Sequence, residues 1–188
     1  MGVAAPYTNA PDLQSILAGF SIVEQQKIAQ QWAQANNRII DMFGQFAKER
    51  RLLIFKSGNE FENWIDPLLN VLYKMNNLMH VGGDICKLLE RISYYNELFP
   101  ETALRFIGFH QMSSLNVYPV FAQPFIPNAR FATFEEIEQY MQLMDFKPMG
   151  EEGYFENEEY ILSDIKPKNV LNANNNTIFV IDAEIKKK

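Results

Sequence analysis

Four polar residues near the end of the sequence have types and a spacing that suit chemistry on a phosphate group. Residues 164–169 read Asp-Ile-Lys-Pro-Lys-Asn, the pattern D-x-K-P-x-N, and Asp182 follows at the end of an apolar run. Mg²⁺ prefers carboxylate and amide oxygens, so we assign Asn169 and Asp182 as metal ligands. Another carboxylate can take or orient the proton of an attacking hydroxyl, which is the role assigned to Asp164. Lys166 would add a positive charge beside the transferring phosphate.

The same stretch also has a plain structural interpretation. A proline-containing turn between two strands would use the aspartate as its cap and would hold the asparagine in local hydrogen bonds. Short motifs recur by chance, so the motif alone leaves both interpretations open.

A lysine on an upstream strand fits the same chemistry. Lys74 ends an alternating apolar run and is followed by a predicted helix that carries Glu90. A charged side chain in such a strand is costly to bury unless it is paired. We prefer Glu90 as its partner because Glu90 lies near the helix centre, and Asp84 and Glu97 are competing partners. The alternative is that Lys74 and Glu90 are both exposed to solvent.

A polar turn before Lys74 is a candidate phosphate-covering loop. Residues 56–64 contain one glycine, Gly58, in the run Lys-Ser-Gly-Asn-Glu. Free backbone N–H groups in such a turn can cradle phosphate, so Gly58 is assigned to phosphate binding. An ordinary hairpin turn explains the glycine equally well.

Hydrophobic spacing predicts helices combined with mostly antiparallel strands, which is the α+β class. Two capping patterns begin helices, at Ser21 with Glu24 and at Thr133 with acidic residues in the first turn. The predicted helices are 12–20, 21–35, 84–95 and 134–144. The predicted strands are 52–55, 71–75, 105–109, 117–122, 160–162, 170–171 and 178–181.

Composition narrows the function classes. The 188 residues include 17 Lys plus Arg against 23 Asp plus Glu, and the net charge of −6 argues against a nucleic-acid partner. The single cysteine, Cys86, excludes an internal disulfide and a cysteine-based zinc site. No apolar run approaches the roughly 20 residues that span a bilayer, and the start lacks the pattern of a secretory leader. We therefore expect a cytoplasmic protein without a membrane partner.

From about residue 51 onward, the sequence resembles the kinase-like domain of bacterial and phage polyvalent proteins, which are carried on mobile genetic elements. The resemblance rests on the D-x-K-P-x-N motif and on the stretches 57–60, 89–91, 96–102, 108–109, 123–125, 145–146, 160–164 and 169–183. It implies a protein-kinase-like fold that binds ATP and Mg²⁺ in a cleft between two lobes. It also implies that residues 121–125 form the last strand and hinge, where Gln123 and Phe125 contact adenine.

We expect three segments along the chain, and the sequence departs from the family pattern in several places. Residues 1–50 would be an N-terminal helical segment, 51–126 an N-lobe-like sheet with an inserted helix, and 127–188 a minimal C-lobe. Leu-Ser rather than His-Arg precedes Asp164, and Ala-Glu rather than Phe-Gly follows Asp182. The sequence stops six residues after Asp182, so we expect a truncated C-terminal lobe without an activation loop or large substrate-binding helices.

Three functional hypotheses follow from these features. The first is an atypical kinase-like phosphotransferase that uses Mg-ATP and a hydroxyl acceptor on a protein or small molecule. The second is a catalytically inactive, pseudokinase-like nucleotide-binding module, which the altered motifs favour. The third is an adaptor whose N-terminal helices dock a protein partner, and it requires that apolar residues within 12–35 remain exposed.

Overall fold

The computed structural model describes residues 10–55, 58–113 and 116–188, and the chain divides into two compact units. Unit 1 comprises Met1–Glu90 and Leu104–Phe125, and unit 2 comprises Arg91–Ala103 and Ile126–Lys188. Within the predicted phosphate-covering loop, Lys56 and Ser57 lie outside the described residues. The segment boundaries expected after residues 50 and 126 stay predictions.

Helices and antiparallel strands are mixed along the described chain, so the predicted α+β class is confirmed. The α-helices are α1 (Ala10–Leu17), α2 (Ile22–Ala35), α3 (Gln45–Arg50), α4 (Ile85–Leu98) and α5 (Phe134–Leu143). The strands are β1 (Leu53–Phe55), β2 (Phe61–Asp66), β3 (Val71–Asn76), β4 (Arg105–Gln111), β5 (Val117–Pro124), β6 (Arg130–Phe131), β7 (Lys147–Pro148), β8 (Phe155–Glu156), β9 (Tyr160–Ser163), β10 (Val170–Asn172), β11 (Ile178–Val180) and β12 (Glu184–Lys187). Short 3₁₀ helices occur at Met79–Val81, Pro100–Thr102 and Pro167–Asn169.

Unit 1 is built on an antiparallel sheet with the strand order β1-β2-β3-β5-β4. On the central strand β3, Lys74 lies opposite Asn63 of β2 and Phe121 of β5. Successive side chains of a strand point to opposite faces of the sheet. Tyr73 and Met75 pack into a buried apolar cluster, so Lys74 points to the other face.

The chain before the sheet is an integral part of unit 1. The Trp32 ring of α2 packs against Phe106 and Phe109 of β4, at centroid distances of 6.1 and 6.4 Å. After α2, the chain runs along β4: the Phe109 N–H donates to the Arg38 carbonyl at 2.8 Å, and the Ile40 N–H donates to the Phe109 carbonyl at 2.8 Å. Side-chain packing and backbone hydrogen bonds thus both join this segment to the sheet.

A buried glutamine of α2 caps helix α4. Gln25 is 4% exposed, and its Oε1 accepts the N–H groups of Ile85 at 3.0 Å and Cys86 at 3.2 Å. The first N–H groups of a helix have no partner within the helix, so an acceptor at this position stabilises its start. Helix α2 therefore fixes the beginning of the helix that carries Glu90.

Unit 2 contains helix α5 and two small sheets, with strand orders β11-β10-β6 and β12-β9-β8-β7. Helix α5 begins at the predicted cap Thr133, which forms a capping box: Thr133 Oγ1 accepts the Glu136 N–H at 3.2 Å, and the Glu136 carboxylate accepts the Thr133 N–H at 2.8 Å. Glu136 also accepts hydrogen bonds from Arg130 of β6 at 2.8 Å and Asn172 of β10 at 2.9 Å. These bonds tie the start of α5 to the β11-β10-β6 sheet.

Six helices and strands were not predicted from the sequence: α3, β2, β6, β7, β8 and β12. Helix α3 precedes the sheet, strand β2 falls partly in the stretch assigned to the polar loop, and β12 falls in the lysine-rich tail. The lysines of the tail are exposed, and residues 184–187 pair with β9. Among the described residues, the helices lack the length and apolar character required to traverse a bilayer.

Candidate active site

The D-x-K-P-x-N stretch forms a compact loop after strand β9. Asp164 has a left-handed backbone conformation with φ of 59°, which turns the chain immediately after the strand. Aspartate tolerates this conformation better than most non-glycine residues. Ile165 is 0% exposed and anchors the loop in the core, and Pro167 begins the 3₁₀ turn that ends at Asn169. The residue types of the motif therefore also account for its local conformation.

The polar side chains of this loop converge on Asp164. Asn169 Nδ2 donates to Asp164 Oδ2 at 2.8 Å and to the Asp164 backbone carbonyl at 2.9 Å. Lys168 Nζ lies 3.1 Å from Asp164 Oδ2, and Lys166 Nζ lies 4.0 Å from Oδ1. The loop thus gathers a carboxylate, an amide and two ammonium groups, which is a suitable environment for an anionic group and a hydroxyl acceptor.

The Asn169 amide is oriented so that it can bind a cation. Its nitrogen makes both hydrogen bonds to Asp164, and the residue is 8% exposed, so the amide oxygen is the atom left for ligation. An amide oxygen and a carboxylate fit a hard cation such as Mg²⁺, which usually keeps waters and phosphate oxygens as its other ligands. Within the described ranges, no group of three or more His, Cys, Asp or Glu side chains is placed to hold a metal ion. A metal at Asn169 would therefore depend on ligands from a bound phosphate compound.

Backbone pairing brings Asp182 to the same loop. The Ile181 N–H donates to the Asn169 carbonyl at 2.8 Å, and Glu184 of β12 pairs with Ser163 of β9. Asp182 lies between these two connections, and Ser163 directly precedes Asp164. The fold of unit 2 therefore joins the segment of the second predicted metal ligand to the loop of residues 164–169.

A glycine outside the motif makes room for Lys166. Gly153 has φ of 85°, and its carbonyl accepts the Ile165 N–H at 3.1 Å. A Cβ at this position would lie 2.8 Å from Lys166 Cγ and 2.9 Å from Lys166 Cε. The Lys166 side chain can therefore follow its present path over residue 153 because that residue is a glycine. The sequence analysis missed Gly153, because a glycine in a glutamate-rich stretch signals a turn but not its contact with the motif.

In unit 1, Lys74 is buried and Glu90 is exposed. Lys74 is 5% exposed, and its Nζ lies 5.3 Å from the centroid of the Phe61 ring. An ammonium over an aromatic face is attracted by the ring electrons, which offsets part of the cost of burying the charge. The alternative in which both residues are exposed therefore fails for Lys74.

Each of the acids that compete with Glu90 has a different hydrogen-bond partner. Asp84 Oδ1 accepts the Lys87 N–H at 3.0 Å, which caps the first turn of α4. Glu97 accepts the Tyr160 hydroxyl at 3.1 Å in unit 2, and burial together with this bond raises the pKa of Tyr160. The pairing of Lys74 with Glu90 stays a prediction.

Three further predicted ligand residues lie in unit 1. The Gly58 N–H donates to the Phe61 carbonyl at 3.0 Å, and a Cβ at Gly58 would meet nothing within 4 Å. Gln123 is 1% exposed on β5. The Phe125 N–H donates to the Asn70 carbonyl at 2.9 Å, so this group is engaged within unit 1. The assignment of Gly58, Gln123 and Phe125 to nucleotide binding stays a prediction.

The predicted site residues thus fall into one group in each unit. Asp164, Lys166, Asn169 and Asp182 belong to unit 2, whereas Lys74, Glu90, Gly58, Gln123 and Phe125 belong to unit 1. The unit 2 group consists of one loop and the strand end joined to it.

Comparison with known proteins identifies a family. Residues 22–188 match the family described as "Serine/Threonine/Tyrosine Kinase found in polyvalent proteins". A search of curated proteins returned no significant match. The matched region begins before residue 51, where the resemblance was expected to start, and it includes helices α2 and α3. Kinases in general use a nucleotide and metal ions, which agrees with the donor groups of the loop 164–169. The chain belongs to the kinase family found in polyvalent proteins.

Proposed function

We propose that the chain is an atypical kinase-like phosphotransferase that transfers the γ-phosphate of Mg-ATP to a hydroxyl of a protein or small-molecule acceptor. The observation that carries the proposal is the loop in which Asn169 Nδ2 binds Asp164 and leaves the amide oxygen for a metal, next to the segment of Asp182. A two-lobed kinase fold and a cytoplasmic setting are part of this proposal.

Each residue of the unit 2 group has a separate role in the transfer. Asp164 orients the acceptor hydroxyl and takes its proton as the acceptor oxygen bonds to the γ-phosphorus. The bond from that phosphorus to the bridging oxygen breaks, and its electron pair leaves with ADP. Lys166 stabilises the charge on the transferring group, and Asn169 and Asp182 hold Mg²⁺, which neutralises phosphate charge.

Residues of unit 1 bind the nucleotide in this proposal. Lys74 holds the α- and β-phosphates, and Glu90 orients Lys74. Gly58 lies in the loop over the phosphates, and Gln123 and Phe125 contact the adenine. Burial of Lys74 supports its role, because the attraction between an ammonium and a bound phosphate is screened less by solvent and salt at a buried position than at the surface.

One contact favours the alternative of an inactive nucleotide-binding module. Lys168 Nζ lies 3.1 Å from the Asp164 oxygen that also accepts from Asn169, so this oxygen is already engaged by two donors. A carboxylate oxygen has two lone pairs, so this oxygen would have to release one of its donors before it could bind an acceptor hydroxyl. Binding without turnover is therefore the second candidate function.

The adaptor hypothesis has support of another kind. Ile16, Phe20 and Val23 are 44%, 46% and 80% exposed, so apolar residues of the N-terminal helices are accessible, as that hypothesis requires. Protein docking at these helices is compatible with nucleotide binding elsewhere in the chain.

Thermal unfolding with Mg-ATP tests the proposed site. Saturating Mg-ATP should raise the melting temperature of the wild type, because a ligand that binds only the folded state stabilises it. Asp182→Ala should abolish this increase, and Asp12→Ala, at an exposed aspartate of α1, should retain it. If the wild type shows no increase, nucleotide binding is refuted.

Transfer of labelled γ-phosphate then distinguishes turnover from binding. A phosphotransferase should label itself or an added acceptor protein, and Asp164→Ala should remove the label while keeping the Mg-ATP stabilisation. Stabilisation without any label in the wild type would favour the inactive module.

A further inference from the structure

Two buried hydroxyl groups contact the strand that leads to Asp182. Tyr95, near the end of α4, and Thr102, in the 3₁₀ turn that follows, are 2% and 1% exposed. The Tyr95 hydroxyl donates to the Val180 carbonyl at 2.7 Å, and the Thr102 hydroxyl donates to the same oxygen at 2.6 Å. The two hydroxyl oxygens lie 2.9 Å apart, and all three residues belong to unit 2.

The Val180 carbonyl needs these donors because of its place in the sheet. Val180 is 1% exposed and lies on β11, an edge strand of the β11-β10-β6 sheet. The backbone groups on the outer side of an edge strand have no neighbouring strand to bind, and a buried carbonyl without a donor is costly. Two hydroxyl protons are enough for both lone pairs of this oxygen. The hydroxyl pair therefore replaces the missing strand.

From this geometry we propose that Tyr95 and Thr102 are positioning residues for the metal ligand Asp182, an inference that rests on the proposed function. Asp182 follows Val180 by two residues. Its carboxylate can share a metal with Asn169 only when the backbone between them is held in one arrangement, because metal ligation requires a narrow geometry.

Three connections fix the chain on either side of Asp182. The hydroxyl pair binds the Val180 carbonyl, the Ile181 N–H donates to the Asn169 carbonyl, and Glu184 pairs with Ser163. Of the three, the hydroxyl bonds to Val180 are the ones made by side chains. Substitutions of Tyr95 and Thr102 can therefore remove them without changing any residue of the loop 164–169. Without the hydroxyls, the backbone that precedes Asp182 is no longer fixed at Val180. This loss should weaken metal-assisted binding of ATP.

The test compares ATP affinity with Mg²⁺ and with EDTA in the full chain, using the ratio of the two dissociation constants as the magnesium enhancement. Thr102→Val and Tyr95→Phe should each lower this enhancement about tenfold, the effect of one lost buried hydrogen bond, with ATP affinity in EDTA unchanged. Thr102→Ser keeps a hydroxyl and should behave as the wild type. Tyr94→Phe is the matched control, because it removes a tyrosine hydroxyl from the same helix. The Tyr94 ring packs on Tyr160, at a centroid distance of 5.8 Å.

Hydrogen exchange of the apo protein supplies a second readout. The amides of residues 181–183 should exchange faster in Thr102→Val and Tyr95→Phe than in the wild type and Tyr94→Phe. Each single variant keeps one hydroxyl on Val180, so folding should be retained. A merely structural role would lower the melting temperature of these variants and would leave the magnesium enhancement unchanged.

The outcomes separate this inference from the proposed function. If Asp182→Ala abolishes the magnesium enhancement and the hydroxyl variants retain it, the positioning role is overturned and the proposed function stands. If the wild type itself has no enhancement, the proposed function fails and the positioning role fails with it. Loss of enhancement in both hydroxyl variants, with rescue in Thr102→Ser, supports both.

Discussion

Asn169 and Lys168 both contact the Asp164 carboxylate, but they differ in burial. Asn169 is 8% exposed and makes two hydrogen bonds to Asp164, whereas the Lys168 side chain is 65% exposed. Losing a buried hydrogen-bonding group costs about 1–3 kcal/mol, and an exposed ion pair contributes about 0.2–1 kcal/mol. Asn169→Ala should therefore lower the free energy of unfolding clearly more than Lys168→Ala. Urea denaturation checks this order, and equal losses would contradict the geometry.

Two glycines with the same backbone conformation allow a sharp test of the contact with Lys166. Gly153 and Gly150 have φ of 85° and 82°, so alanine at either position should cost about 1–2 kcal/mol for the left-handed backbone. Only at Gly153 would the new Cβ meet Lys166, because at Gly150 nothing lies within 4 Å. Gly153→Ala should thus be the more destabilising variant and should also reduce phosphate transfer. Unfolding measurements and label transfer test both effects, and a Gly150→Ala variant that loses equal activity would argue against a specific contact.

Among the single residues of the site, those whose partners lie within the same short motif were predicted from the sequence. The motif 164–169 carries its own hydrogen bonds, so residue types and spacing were enough to group Asp164 with Asn169. Gly153 contacts Lys166 of the motif, and Tyr95 and Thr102 bind the Val180 carbonyl, through contacts that only the fold creates. No periodicity or spacing signals such a contact, and these residues were not predicted.

At the scale of elements, the capping box of α5 carries a pH-dependent contribution to stability. The hydrogen bond from Arg130, with that from the Thr133 N–H, lowers the pKa of Glu136 from 4.5 to about 2. A carboxylate with a lowered pKa in the folded state adds stability above its unfolded pKa, and this stability is lost as the pH falls through the folded pKa. The contribution of Glu136 should therefore disappear between pH 4.5 and about 2.

The variant Glu136→Gln isolates this contribution. Its melting temperature should be below that of the wild type near neutral pH, and the difference should shrink as the pH falls through this window. Glu135→Gln is the control, because the Glu135 carboxylate in the same turn accepts one long bond from Gln139, at 3.4 Å. A difference that stays constant over this pH range would show that Glu136 stabilises α5 without titrating there.

Helices whose first residues carry a capping signal were predicted, whereas strands that are recognised only by their pairing, such as β2 and β12, were not. The capping box at Ser21 and the cap at Thr133 are confirmed at the starts of α2 and α5. Strand β2 was not predicted because its polar residues are typical of a loop. Its last residue, Asp66, accepts the N–H groups of Leu68 and Leu69 in the following turn. In β12 only Ile185 is buried, so the strand is recognised by its pairing with β9 and not by its own pattern.

At the scale of the whole molecule, the sequence placed a boundary near residue 50, whereas the family match begins at residue 22. The N-terminal helices carry no residues of the predicted site, so no sequence pattern joined them to the sheet. Their role in unit 1 depends on long-range contacts: Trp32 packs on β4, Gln25 caps α4, and Met42, which is 0% exposed, belongs to the core cluster of the sheet. A local pattern of apolar residues cannot specify the sheet against which a helix packs.

The fragment 51–188 should therefore fail to fold as a stable protein, whereas 10–188 should fold. Removing 10–50 uncovers β4, deletes a core residue and removes the acceptor for the first N–H groups of α4, and each loss costs free energy of the order of the few kcal/mol that separate folded from unfolded states. Circular dichroism during heating should show a cooperative transition for 10–188 and none for 51–188. A cooperative transition of 51–188 at a similar temperature would mean that the N-terminal helices only decorate a self-sufficient domain. Its absence would place them within the folding unit of the kinase-family chain.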